Sequence, residues 1–208
     1  GGRPEPEPNA LMVPDKVSRR TCSSALPVND EAAHRVILVG PMGSGKTTLG
    51  RRAAKILGLD FADCDEAIEA QTGASVNLIF DIEGEAGFRI RERRMLKARA
   101  SREQILIATG GGVVTSQRNR QTLKQAGVVV WLQTPVDQQL RRLEQDRKRP
   151  LLQAPDRRQR LQAMAAERDP LYDEVSDLVF RTRQRGVARA AEDLASRIQE
   201  HWKLEERV

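Results

Sequence analysis

From Arg35 onward, short apolar runs alternate with stretches whose hydrophobic residues recur every three or four positions. The runs are "RVILVG" from Arg35, "QILIAT" from Gln104, "GVVVWL" from Gly127 and "DLVFRT" from Asp177, with a shorter "DFADCD" from Asp60. Continuous apolar runs of this length, rich in branched residues, predict strands buried on both faces of a parallel sheet. Between them, Leu49, Ala53, Ile56 and Leu57 share one helical face, and Gly58 closes that helix. Further helices are predicted over about Glu66–Gln71 and Glu85–Ala100, through Val136, Leu140 and Leu143, from about Arg157, and along Val187, Ala191, Leu194 and Ile198. Strands that alternate with helices imply right-handed crossovers and a five-stranded parallel sheet covered on both faces, an α/β architecture.

Two stretches break the pattern. Residues 1–33, opening "GGRPEPEPNALMVPDK", are rich in proline and charge without a sustained apolar period. They read as a disordered tail, with no apolar core of the kind a signal peptide needs. "DRKRPLLQAPD", from Asp146 to Asp156, reads as a loop. The remaining 34–208 forms one expected domain.

Composition narrows the function classes. Of 208 residues, 39% are hydrophobic and 31% charged, as in a globular protein, and no apolar run is long enough to cross a bilayer. The net charge of +6 favours anionic partners. Aromatics are only 3%, too few for stacking platforms, so small anions are favoured over nucleic acid. Two cysteines, Cys22 and Cys64, are too few for a disulfide framework or a zinc site and suit a reducing, cytoplasmic setting. His34 and His201 lack metal-ligand spacing.

"GPMGSGKT", Gly40 to Thr47, follows a strand and opens a helix, and it matches G-x-x-x-x-G-K-[ST]. Its glycines let successive backbone N–H groups converge on phosphate oxygens, and the helix N-terminus adds favourable partial charge. Lys46 suits the β- and γ-phosphates, and the Thr47 hydroxyl suits the shell of a Mg²⁺ ion. This indicates a nucleoside triphosphate and leaves the acceptor open.

The third strand offers the metal no acid. The second ends in Asp63 and Asp65, whose carboxylates at period two would point to one side of a strand, one for metal and one for acceptor. A helix N-cap at Asp65 is an equal reading. Arg89 and Glu92 share a helical face, as an exposed ion pair or as a guanidinium set for a carboxylate. Arg149 lies in the proline-flanked loop, and Arg168 precedes a proline. "ATGGGVVT" removes side chains at Gly110, Gly111 and Gly112, either for something that comes close or for a tight turn with positive φ.

Taken in order, "GPMGSGKTTLG", "DCDEAIEAQTG", "IFDIEGEAGFRIRE", "ATGGGVV", "KRPLL" and "ERDPLY" resemble shikimate kinases, over nearly all of the chain from Arg35 to about Trp202. The resemblance implies a P-loop NTPase-type three-layer sandwich of the nucleoside-monophosphate-kinase kind. It implies ATP- and Mg²⁺-dependent phosphorylation of the shikimate 3-hydroxyl, within chorismate and aromatic amino acid biosynthesis. By the same resemblance, Gly43, Ser44, Gly45, Lys46, Thr47 and Thr48 would hold ATP. Arg142 would lie against adenine, and Arg149 would close a lid at about 147–156. Thr47 and Asp63 would serve the metal. Asp65 would accept a hydrogen bond from the attacking hydroxyl, with Lys46 and Arg149 as its catalytic partners. Arg89 and Arg168 would clamp the substrate carboxylate, Glu92 would orient Arg89, and Gly110–Gly112 would form the wall beside the ring. The acceptor segment would span about 63–95, and a monomer without nucleic-acid or membrane partners is expected. Alternatives are a gluconate-type small-molecule kinase and a nucleotide-sensing or nucleic-acid-binding module without turnover.

Overall fold

The structure, a computed structural model, describes residues 34–144, 156–181 and 186–205. Its core is a five-stranded parallel sheet in the order β2-β3-β1-β4-β5. The strands are β1 (Arg35–Val39), β2 (Asp60–Asp63), β3 (Ile105–Ala108), β4 (Val128–Gln133) and β5 (Leu178–Arg181). The helices are α1 (Lys46–Leu57), α2 (Cys64–Thr72), α3 (Val76–Ala100), α4 (Gln117–Ala126), α5 (Val136–Leu143), α6 (Arg157–Val175) and α7 (Val187–Glu205).

Alternation along the strands builds two cores. In β1, Val36 and Leu38 join Ala53, Leu57, Leu194 and Ile198 of α1 and α7. Ile37 and Val39 join Ile68, Phe88, Leu96, Leu123 and Tyr172 from α2, α3, α4 and α6 on the opposite face. Period-two strands thus feed both sides of a three-layer sandwich.

β1 lies between β3 and β4, where the sheet's connections change direction. Leu38 of β1 and Asp63 of β2 are both in register with Ala108 of β3, so three strand ends align at one edge. Ligands of open α/β sheets bind at this position, outside the carboxyl ends of the strands.

Several expectations are corrected. The second strand stops at Asp63, and Asp65 belongs to the first turn of α2, so no strand pleat sets the two carboxylates side by side. The third helix begins at Val76 rather than near Glu85, and it changes direction at Gly84 (φ 69°, ψ −179°). Exposed Leu78 and Ile82 obscured its opening turns by breaking the one-sided apolar pattern. α4 had no counterpart in the pattern. Ile56 is 48% exposed, because α1 packs through the small residues Gly50, Ala53 and Ala54. A Cβ on Gly50 would come within 2.9 Å of Phe61 Cε2 and 3.0 Å of Leu38 Cδ1. Val187, at the first position of α7, is also exposed. Arg149, residues 147–155 of the expected lid and the tail 1–33 lie outside the described residues.

Candidate active site

The P-loop leaves β1 at Gly40 and enters α1 at Lys46. Gly43 and Gly45 adopt φ values of 72° and 92°, the left-handed region that glycine enters at little cost. Lys46 Nζ donates to Gly40 O and Pro41 O at 2.8 Å each and to Ser44 Oγ at 3.2 Å. Ser44 is fully buried and Thr48 exposed. Arg142 reaches over from α5, and its Nη1 donates to Gly43 O and Ser44 O at 3.0 Å. Burial, with Arg141 adding repulsion, lowers the Arg142 pKa.

Asp63 is the N-cap of α2. Its Oδ1 accepts from Asp65 N at 2.9 Å and Glu66 N at 3.2 Å, the usual way a carboxylate satisfies a helix's first amides. Its other oxygen, Oδ2, accepts from Thr47 Oγ1 at 2.6 Å. One carboxylate therefore ties the first turn of α2 to the P-loop threonine. The cap is Asp63, not Asp65. Cys64 between them is buried, and burial first, then Asp65 and Asp63, pushes its thiol pKa up. The group stays a neutral thiol and supplies no nucleophile.

The glycine segment follows β3. Thr109 Oγ1 donates to Leu38 O at 2.9 Å and pins the strand end to β1. The segment does turn tightly, with Val113 N donating to Gly110 O at 3.2 Å, but none of Gly110, Gly111 and Gly112 has a positive φ, so the turn does not require glycine. Crowding explains the missing side chains. A Cβ on Gly110 would stand 2.9 Å from Glu92 Oε1 and 3.0 Å from Asp65 Oδ1. A Cβ on Gly112 would overlap the guanidinium of Arg89. A Cβ on Gly111 would lie 3.3 Å from Met42 N and 3.6 Å from Gly40 O, so this segment touches the P-loop itself. The backbone is bare because charged side chains and a second backbone press against it.

Arg89 is held by two carboxylates. Its Nη1 donates to both oxygens of Glu92, at 3.1 and 3.0 Å, while Nε and Nη2 donate to Glu85 Oε1 at 3.2 and 2.9 Å. Glu92 is 1% exposed, and Glu85 is 66% exposed. Burial raises the Glu92 pKa, against the lowering pull of Arg89. Burial pulls Arg89 down, but Glu92 and Glu85 outweigh it and hold its pKa above the ordinary value.

From α6, Arg168 Nη1 approaches Gly111 O at 3.5 Å, the outer limit of a hydrogen bond. Arg168 Nε is buried without a hydrogen-bond partner among the described residues. Sequence reasoning missed Tyr172, whose hydroxyl donates to the same Gly111 O at 2.5 Å and whose ring stacks on Trp131. Burial pushes the Tyr172 pKa up, so the phenol remains a donor. Its position four residues after Arg168 put both on one face, a signal that was available.

The structure thus brings Asp65, Glu92, Arg89 and Arg168 to one glycine wall that abuts the P-loop. Carboxylates, two guanidinium groups and a phosphate loop gathered in one place suit the binding of an anionic alcohol beside a phosphoryl donor. Among the described residues no group of three or more His, Cys, Asp or Glu side chains could hold a metal ion, and no helix is long and apolar enough to cross a membrane.

Residues 42–199 match the family pattern of shikimate kinase. A shikimate kinase of Halorhodospira halophila is 56% identical over 158 residues, covering 74% of this chain and 89% of that protein. One from Photobacterium profundum is 46% identical over 165 residues, covering 79% and 94%. Among solved structures, shikimate kinase from Acinetobacter baumannii in complex with shikimate superimposes with a TM-score of 0.78 at 45% identity, covering 82% of this chain and 96% of that one. A gluconokinase from Sinorhizobium meliloti has a TM-score of 0.53 at 16% identity, covering 83% and 97%, a likeness of fold alone.

Proposed function

The chain belongs to the shikimate kinase family, and on that premise we propose how its own residues divide the work. The reaction is ATP-dependent phosphorylation of the 3-hydroxyl of shikimate, giving 3-phosphoshikimate and ADP, in chorismate and aromatic amino acid biosynthesis. The observation that carries the assignment of residues is the convergence of Asp65, Glu92 and Arg89 on the bare backbone of Gly110 and Gly112, with Arg168 on Gly111.

Arg89 and Arg168 bind the substrate carboxylate. The buried, unpaired Nε of Arg168 is a donor that an anionic ligand would satisfy. Glu92 fixes the Arg89 fork from below through two hydrogen bonds. The ring lies along Gly110–Gly112, whose missing side chains leave the wall flat. Asp65, beside Gly110, orients the 3-hydroxyl and receives its proton. As the hydroxyl oxygen bonds to the γ-phosphorus, the bond to the bridging oxygen breaks and ADP departs with the electron pair. Little covalent work falls to the protein, so positioning and charge neutralisation dominate.

On the donor side, Gly43, Ser44, Gly45, Lys46, Thr47 and Thr48 form the phosphate cradle. Lys46 exchanges its loop carbonyl partners for phosphate oxygens. Arg142, anchored on the cradle's outer carbonyls, borders the nucleotide, and Arg149, outside the described residues, would supply a further cation to the phosphates. Thr47 Oγ1 and Asp63 Oδ2, at 2.6 Å, are the hard oxygen donors that fit Mg²⁺, an ion that keeps several waters and takes few protein ligands. When bound, Mg²⁺ neutralises charge on the β- and γ-phosphoryl oxygens. The protein would act as a monomer on a small molecule in the reducing cytoplasm.

The test is ³¹P NMR of the protein with ATP, Mg²⁺ and shikimate, beside a coupled assay over a panel of hydroxy acids that includes gluconate. A 3-phosphate ester is expected, with gluconate inert. Arg89→Ala should raise the KM for shikimate at least tenfold, as loss of a charge-assisted carboxylate contact does. A preference for gluconate, or an Arg89→Ala variant with unchanged KM, would overturn the reading.

A further inference from the structure

Glu85 takes up the Nε–Nη2 edge of Arg89 with one carboxylate oxygen. That edge is one of the two on which a guanidinium grips a carboxylate in fork geometry. The other donor group, Nη1, is committed to Glu92. With Glu85 in place, the Nε–Nη2 fork of Arg89 is closed to a ligand, and the cluster of one guanidinium and two carboxylates carries a net negative charge. We propose that Glu85 is an internal stand-in for the substrate carboxylate, which must displace it from Arg89. Glu85 thereby sets the affinity for the acceptor and raises the threshold against weakly bound anions. This rests on the assignment of Arg89 to the substrate carboxylate made above.

Three features separate Glu85 from Glu92. Glu92 is buried and grips through both oxygens, so its removal would leave Arg89 without its support. Glu85 is mostly exposed and can turn into water without an unmet hydrogen bond. Glu85 also directly follows Gly84, where the backbone of α3 leaves helical geometry, so it opens the redirected half of the helix that carries Arg89. A solvated carboxylate on a mobile side chain is a weak competitor, and an exposed pair is worth little. Its displacement is correspondingly cheap, which is what a threshold device needs if it is not to block the site.

The experiment compares wild type with Glu85→Gln, which keeps the side chain's length and removes its charge. The KM for shikimate should fall roughly twofold to fivefold, the factor matching an exposed ion pair. The gain should appear in KM rather than kcat, with the KM for ATP unmoved. Calorimetric binding should show the same gain for shikimate and none for its methyl ester, which lacks the charge that Glu85 mimics. A KM that rises or stays level would overturn the proposal, since Glu85 would then be an orienting residue or a bystander. Arg89→Ala distinguishes this failure from that of the underlying assignment: if it also leaves KM unchanged, Arg89 does not bind the carboxylate at all. Thermal melting of Glu85→Gln within about a degree of wild type excludes a folding defect, as expected for an exposed position.

Discussion

At the scale of single residues, the site is made by what the glycines omit. Gly112 is the sharpest case, because any Cβ there meets the Arg89 guanidinium. Gly112→Ala should fold, since its φ of −96° suits alanine, and should lose acceptor binding. The expected result is a KM for shikimate raised tenfold or more, with ATP binding by calorimetry preserved. Glu92 sets a pH dependence. Its pKa is raised in the folded state, chiefly by burial, so the stability it contributes is fully present below the unfolded value of 4.5 and declines as pH rises through the folded one. The melting temperature of wild type minus that of Glu92→Gln should therefore slope downward above about pH 4.5, and an upward slope would contradict the assignment. Legibility at this scale was uneven. Lys46 and Thr47 announced themselves through fixed spacing, whereas periodicity gave Arg89 and Glu92 only a shared helical face and their roles came from the family resemblance. Glu85 and Tyr172 stayed hidden because their roles depend on partners, Arg89 and Gly111, whose positions only the fold supplies.

At the scale of elements, the three central strands were readable because each is a short apolar run buried on both faces, whereas the edge strands β2 and β5 keep one face partly exposed and showed a weaker pattern. Helix boundaries were less so. α3 hid its first turns behind exposed Leu78 and Ile82, and its two halves are joined across Gly84 by the Glu83–Arg91 ion pair, with contacts at 2.6 and 2.9 Å. The D-x-D pair was misread as strand, because Asp63 ends β2 and caps α2 at one residue. That double duty can be separated by two substitutions. Asp63→Asn keeps an oxygen for the amides of α2 and should melt close to wild type while needing more Mg²⁺ for half-maximal rate. Asp63→Ala loses the cap as well, at about 1 kcal/mol, and should melt roughly 2–4 °C lower. Equal melting temperatures for the two would show that the cap contributes nothing.

At the scale of the whole molecule, the parallel sheet collects its strand ends at one edge, and the aligned register of Leu38, Asp63 and Ala108 sets the loops beyond them side by side. Strand–helix alternation made that architecture legible, whereas strand order, which decides that β1 and β3 are neighbours, leaves no trace in periodicity. Neighbouring β1 and β3 explain why Gly111 rests on Met42 and Gly40. On the proposed assignment of the site, giver and receiver of the phosphoryl group would thereby be spaced by peptide against peptide, with no side chain as the shim. Such a ruler cannot be shortened or lengthened by exchanging residues elsewhere in the pocket. Acceptor preference can drift among the helices while the transfer distance stays constant, and a wedge at position 111 would admit water between the two reactants and turn a kinase into a leaking ATPase.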